Sequence, residues 1–197
     1  MKNLKLNFFR ILVILGTVVA TPVKAETITL DDFKFSVGNV PAGAAGGILS
    51  GRWGVWNGTS FIQAVTTGLN AGYVDLSTPE MSITLNQTTS ANYAAGTAMA
   101  LAIFTNGSAD AQALNYSSAT RAVVLTDVAW VAPSWANNAN MVSFGFSAVT
   151  QARLGSFTFG GGGGNDVMTL AVIPEPSTFS LFALGALGLV ARRLRKK

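Results

Sequence analysis

The chain has 197 residues, 49% of them hydrophobic and 11% charged, with no cysteine and no histidine. Those absences exclude disulfides, thiol nucleophiles, Ser-His-Asp and Cys-His catalysis, and thiolate or imidazole metal sites. The formal charge of +4 arises at the two ends: between Glu26 and Ile173, four cations (Lys34, Arg52, Arg121, Arg153) stand against eight acids, a net of −4 that excludes a phosphate-reading nucleic-acid surface.

Met1 to Arg10 carries Lys2, Lys5 and Arg10 without an acid, and Ile11 to Ala20 is almost wholly apolar, which is the layout of a secretory signal peptide. An apolar core of about ten residues is too short for a membrane-spanning helix. Val23-Lys24-Ala25 places cleavage after Ala25, with Ala20 as the competing position. The chain is therefore expected to be exported, with signal peptidase and the secretion machinery as its first partners and residues 1–25 as the part removed.

Residues 26–173 suit one domain, long enough to bury a core without covalent help. Period-two alternation predicts half-buried strands at Phe33, Phe35 and Val37, at Met81, Ile83 and Leu85, at Val142 to Ala148, and at Phe157 and Phe159. Apolar runs at Thr27–Leu30, Gly51–Trp56, Phe61–Thr66, Met99–Phe104, Arg121–Leu125 and Val167–Val172 complete the set. Many short strands separated by Gly, Asn and Ser predict an all-β fold, an antiparallel two-sheet sandwich of jelly-roll type, with a closed barrel as the alternative. Ala42 to Gly47 reads as a loop, and Ser108 to Leu114 as a short alanine-rich helical turn. Asn57-Gly58 predicts a tight hairpin with both residues at positive φ. Asn57, Asn86, Asn106 and Asn115 also open glycosylation triplets, which a chain rich in Asn, Ser and Thr produces by chance.

Gly161 to Thr169 has one copy of a glycine-aspartate calcium nonapeptide, but that architecture binds calcium between tandem copies, so a glycine-rich hairpin is the expectation. Asp31 and Asp32 are adjacent and would face opposite sides of a strand, which argues for a turn rather than a cation site. No metal or cofactor is expected. Trp53 and Trp56, three apart in an extended run, also face opposite sides, leaving one without an assured place in the core; Trp130 and Trp135 flank Pro133 in a loop-like stretch. Exposed planar aromatics stack on sugar rings. These four are the candidate ligand-binding residues of an alternative reading, a polysaccharide-binding module. Two carboxylates alone could run glycoside hydrolysis, but no motif surrounds any of the acids, so the domain is read as non-enzymatic.

Pro174-Glu175-Pro176-Ser177 ends the domain, because each proline lacks an N–H and biases the residue before it toward an extended backbone. A helix can start only beyond Pro176. From Ser177 to Ala191 it would span roughly 22 Å, short of the ~30 Å hydrocarbon core. Arg192, Arg193, Arg195, Lys196 and Lys197 follow, and cations there hold the end on the cytoplasmic side, with the proline motif at the outer surface.

Motif, apolar segment and basic end, in that order over 174–197, resemble the PEP-CTERM sorting signal of bacteria that carry an exosortase. The resemblance implies export, transient anchoring by the C-terminal helix, recognition of Pro174, Glu175, Pro176 and Ser177 by an exosortase-type membrane enzyme, and transfer to the cell surface or extracellular matrix. It associates the chain with exopolysaccharide-producing, biofilm-forming bacteria. The same segment is also named after an ice-binding protein, but an ice-binding surface needs ordered Thr arrays, and Thr27-Ile28-Thr29 offers a single pair.

Overall fold

Thirteen strands, several with alternating burial, make up the computed structural model, which describes residues 26–32, 34–65, 69–87, 94–133, 141–161 and 165–173. The strands are β1 (Glu26–Asp32), β2 (Phe35–Gly38), β3 (Ile48–Trp56), β4 (Phe61–Gln63), β5 (Asn70–Asp75), β6 (Glu80–Gln87), β7 (Ala98–Thr105), β8 (Arg121–Val131), β9 (Met141–Phe144), β10 (Gln151–Leu154), β11 (Ser156–Thr158), β12 (Asp166–Thr169) and β13 (Ala171–Val172). In β6, Met81, Ile83 and Leu85 are buried, whereas Ser82 and Thr84 between them are half-buried. Among the described residues there is no α-helix, only 3-10 turns at Ala42–Ala44 and Tyr116–Ser118.

A large curled sheet runs in the order β10-β8-β7-β3-β5-β6-β1-β9, with β13 added to β8 and β4 to β3; a small sheet runs β11-β12-β2. Among the described strands the pairings are antiparallel except two, β1 with β9 in the large sheet and β2 with β12 in the small one. The fold is all-β and sandwich-like, with unequal layers.

The core lies between the layers. Leu49 and Trp53 of β3, Ile83 of β6, Leu101 and Ile103 of β7 and Leu125 of β8 meet Phe35 and Met168 of the small sheet. Gly51 is required here: a Cβ on it would stand 2.3 Å from the Ile83 Cδ1 atom, so the isoleucine fills the space that a side chain would take. The outer face of the large sheet is covered as well. Ala100, Ala102 and Phe104 of β7 and Ala122 and Val124 of β8 pack beneath Phe61 and Tyr116. Strand β7 is thus buried on both faces, which is why its sequence is continuously apolar.

Four expectations need correction. The Asn57-Gly58 hairpin forms, but Trp56 pairs with Phe61, so the loop has four residues, and only Gly58 of the pair is at positive φ (100°). The Asn57 carboxamide oxygen accepts from the Thr59 and Ser60 amides at 3.0 and 2.8 Å, a side-chain turn that replaces the tight two-residue one. Ser108 to Leu114 is not a helix: Ile48 donates to the Ala109 carbonyl and accepts from the Ala111 amide, so this backbone is spent on the sheet. Asp31 and Asp32 close strand β1 opposite Ser82 and Met81 rather than forming a turn. Trp130 belongs to β8, which continues to Val131. Residues 1–25, Phe33, Trp135, Gly162 to Gly164 and everything after Ile173, including Pro174 to Ser177 and the apolar segment, lie outside the described residues.

Candidate functional site

The three described tryptophans have different surroundings. Trp53 is fully buried, its ring edge-on to Trp130 and to Phe144, both with centroids at 5.4 Å. Trp130 is 1% exposed, and its indole N–H donates to the Gly145 carbonyl at 3.1 Å. Both are core residues, and neither offers a ring face to a ligand. Trp56 points to the other side of β3, as three-residue spacing in a strand requires, and is half-buried at the rim of the outer-face cluster.

Trp56 lines a groove of about 220 Å³ together with Met99, Thr126, Asp127, Gln151 and Arg153. Pairing explains the assembly: Ala100 lies opposite Thr126, and Thr126 opposite Gln151, so β7, β8 and β10 present these positions side by side. The Arg153 Nε donates to the Thr126 hydroxyl at 2.9 Å, while its terminal nitrogens have no partner among the described residues. Asp127 is spent inward. Its carboxylate accepts from the Ser147 and Thr150 hydroxyls at 2.6 and 2.7 Å and from the Ala129 amide at 2.8 Å. Burial pushes its pKa up, but those hydrogen bonds together outweigh burial and hold the carboxyl below its ordinary value. The groove therefore offers an aromatic ring, an amide and a guanidinium.

A larger hollow, about 670 Å³, is bordered by Phe61, Gln63, Asn70, Asn115 and Tyr116. Its amides are engaged in the fold: Gln63 donates to Asn115 at 3.2 Å and accepts from the Tyr116 amide at 2.8 Å, and Asn70 is hydrogen-bonded to Trp53 and Ala64.

Within the glycine-aspartate segment, Asp166 to Thr169 form β12, which pairs antiparallel with β11; Gly162 to Gly164 lie outside the described residues. The Asp166 carboxylate, 5% exposed, accepts from the Gly160 amide of its own loop at 2.7 Å. Burial raises its pKa, the Gly160 hydrogen bond partly offsets that, and neighbouring Asp32 raises it further. No local pattern announces that Asp32 and Asp166 meet, since 134 positions separate them and the parallel pairing of β12 with β2 brings them together.

The last described segment leads to the sorting motif. Ala171 and Val172 pair with Ala122 and Arg121, and the Ile173 amide donates to the Thr120 carbonyl at 2.9 Å. The described β domain is thus still bonded beside β8 at Ile173, the residue directly before Pro174 in the sequence. Residues 172–196 match the family model of the PEP-CTERM protein-sorting motif, which marks the chain as an exported protein handled by an exosortase-type membrane enzyme. No curated protein and no solved structure matches the chain at a significant level. No helix among the described residues is long and apolar enough to cross a membrane.

Proposed function

We propose that the chain is a non-enzymatic surface or matrix protein. Its signal peptide is removed after Ala25, its β domain is delivered outside, and an exosortase-type enzyme removes or transfers the tail around Pro174-Glu175-Pro176. The observation that carries this reading is the match over 172–196, in which a proline-bracketed glutamate, an apolar segment and four cations occur in order. The charge of the domain supports it: eight acids against four cations over 26–173 keep the released domain soluble. Replacing Glu175 by Ala with both prolines kept tests it: the variant accumulates in the membrane fraction with its basic end intact. Normal release of the variant contradicts the reading.

The second reading is a saccharide-binding surface on the same domain, favoured by the groove at Trp56. A ring resting on Trp56 would receive hydrogen bonds from Gln151 and Arg153, the combination of apolar face and planar donors that suits a sugar. Trp53, Trp130 and Trp135 are not needed for it. Fluorescence titration with the host's extracellular polysaccharide tests it, since Trp56→Ala abolishes a saturable change that Arg121→Ala leaves intact. Absence of any saturable change in the wild type contradicts it.

A further inference from the structure

The sorting motif and the folded domain share residues. The matched segment begins at Val172, inside β13, where Val172 pairs with Arg121 and Ala171 with Ala122. Ile173 is held by the Thr120 carbonyl and packs against the outer-face cluster. Upstream, Leu170 is a fixed point, 1% exposed and with its amide on the Gly38 carbonyl at 3.1 Å. Ile173, whose amide makes the last of these hydrogen bonds among the described residues, directly precedes Pro174 in the sequence. An extended chain covers about 3.3 Å per residue, so binding that reaches about 10 Å upstream of Pro174 takes in three residues. The three residues before the motif are those that β8 already holds.

We propose that Ala171 to Ile173 is handed from β8 to the sorting enzyme, as the upstream part of the segment the enzyme binds, so that β13 must leave the sheet before the tail is processed. The proposal rests on the reading that the tail is processed. The geometry suits a transfer of this kind. Strand β13 is two residues long and continues along β8 the row that β10 begins opposite Val124 to Thr126; among the described residues it has no sheet partner on its other side, and Val172 is 59% exposed. A short edge strand with few backbone hydrogen bonds belongs to the part of a fold that opens locally while the core stays closed. Leu170 and Met168, both buried, set the limit of the opening.

The test uses the full chain in a host carrying the enzyme and follows the fraction of tail-bearing precursor by mass with time. One variant carries a six-residue Gly-Ser spacer between Ile173 and Pro174. A second carries Ala122→Cys with Ala171→Cys, a pair directly opposed in the ladder at the ~4.5–5.5 Å Cα separation a disulfide accepts, in a chain with no other cysteine. The spacer is expected to speed tail loss roughly tenfold, the order set by unmaking a two- or three-bond pairing. The disulfide is expected to hold the precursor until reductant is added, while each single cysteine variant is processed at the wild-type rate. Equal rates for spacer and wild type, with the disulfide form processed as fast as its reduced form, overturn the proposal alone. A tail retained in every variant overturns the processing reading and this proposal with it.

Discussion

Arg52→Met and Arg52→Lys separate the charge of a buried guanidinium from its hydrogen-bonding geometry. Arg52 is 4% exposed on the outer face of β3, and its three hydrogen bonds among the described residues all go to backbone carbonyls: Nη1 to Gly51 at 2.6 Å and Gly72 at 3.3 Å, Nη2 to Gln112 at 2.9 Å. Burial lowers its pKa from the ordinary value, yet arginine stays charged. Desolvating the cation costs several kcal/mol, and three hydrogen bonds from a charged donor return about 1.5–3 kcal/mol each, so the bonds win by a modest margin. Methionine removes both terms but leaves the Gly72 and Gln112 carbonyls without this donor, while Ile48 still holds the neighbouring Ala109 and Ala111 backbone on β3. The expected loss is about 2–4 kcal/mol. Lysine keeps the charge but has one ammonium, which cannot span carbonyls from three segments, so it is expected to do no better than methionine. In urea unfolding of residues 26–173, with a slope near ~2 kcal/mol per molar, the midpoint should fall by roughly 1–2 M. A methionine variant within about 0.3 M of wild type would refute the reasoning, since the guanidinium would then return no more than its desolvation costs.

Trp53→Ala removes a fully buried ring that touches Trp130 and Phe144, and about 3–5 kcal/mol of stability should go with it, read from thermal or urea unfolding. Asp166 has a raised folded pKa, so its carboxyl favours the native state below the unfolded value and that contribution is lost as pH rises toward the folded value. Asp166→Asn keeps an acceptor for the Gly160 amide, and it should raise stability at neutral pH and flatten the profile in the acidic range; a variant less stable than wild type at pH 7 contradicts the assignment. Asp127 has the opposite sign: its lowered pKa gives stability that is present above the unfolded value and lost as pH falls through the folded one, so Asp127→Asn should be more damaging at neutral pH than at pH 3. Asn57→Ala removes the acceptor of the Thr59 and Ser60 amides and should cost about 1 kcal/mol.

The fold class was legible because alternation survives in strands with one buried face, such as β6, and the continuous apolar run of β7 was readable for its length. Strand β5 was not, because Asn70, Ala71 and Gly72 give no apolar face; Gly72 is there because the Ile83 backbone approaches it closely, 2.4 Å from where its Cβ would be. Strand β10 escaped for a similar reason: Gln151 and Arg153 are exposed, and Ala152 is small. Trp130 was misplaced because Pro133 marks a loop whose start lies beyond the tryptophan rather than before it. The opposite facing of Trp53 and Trp56 followed from strand geometry alone, but which of the two would be covered depended on Trp130 and Phe144, distant in sequence. Arg52 reaches Gly72 and Gln112, and Asp32 meets Asp166, through long-range pairing, which no local pattern announces.

The central claim, that this chain is exported and sorted through its last residues, is tested most directly by the intact mass and terminal sequence of the protein recovered from outside the producing cell. A form beginning at Glu26 and lacking Arg192 to Lys197 is the predicted result. Recovery of a form that keeps those basic residues, or of the protein only inside the cell with Met1 to Ala25 attached, would contradict it.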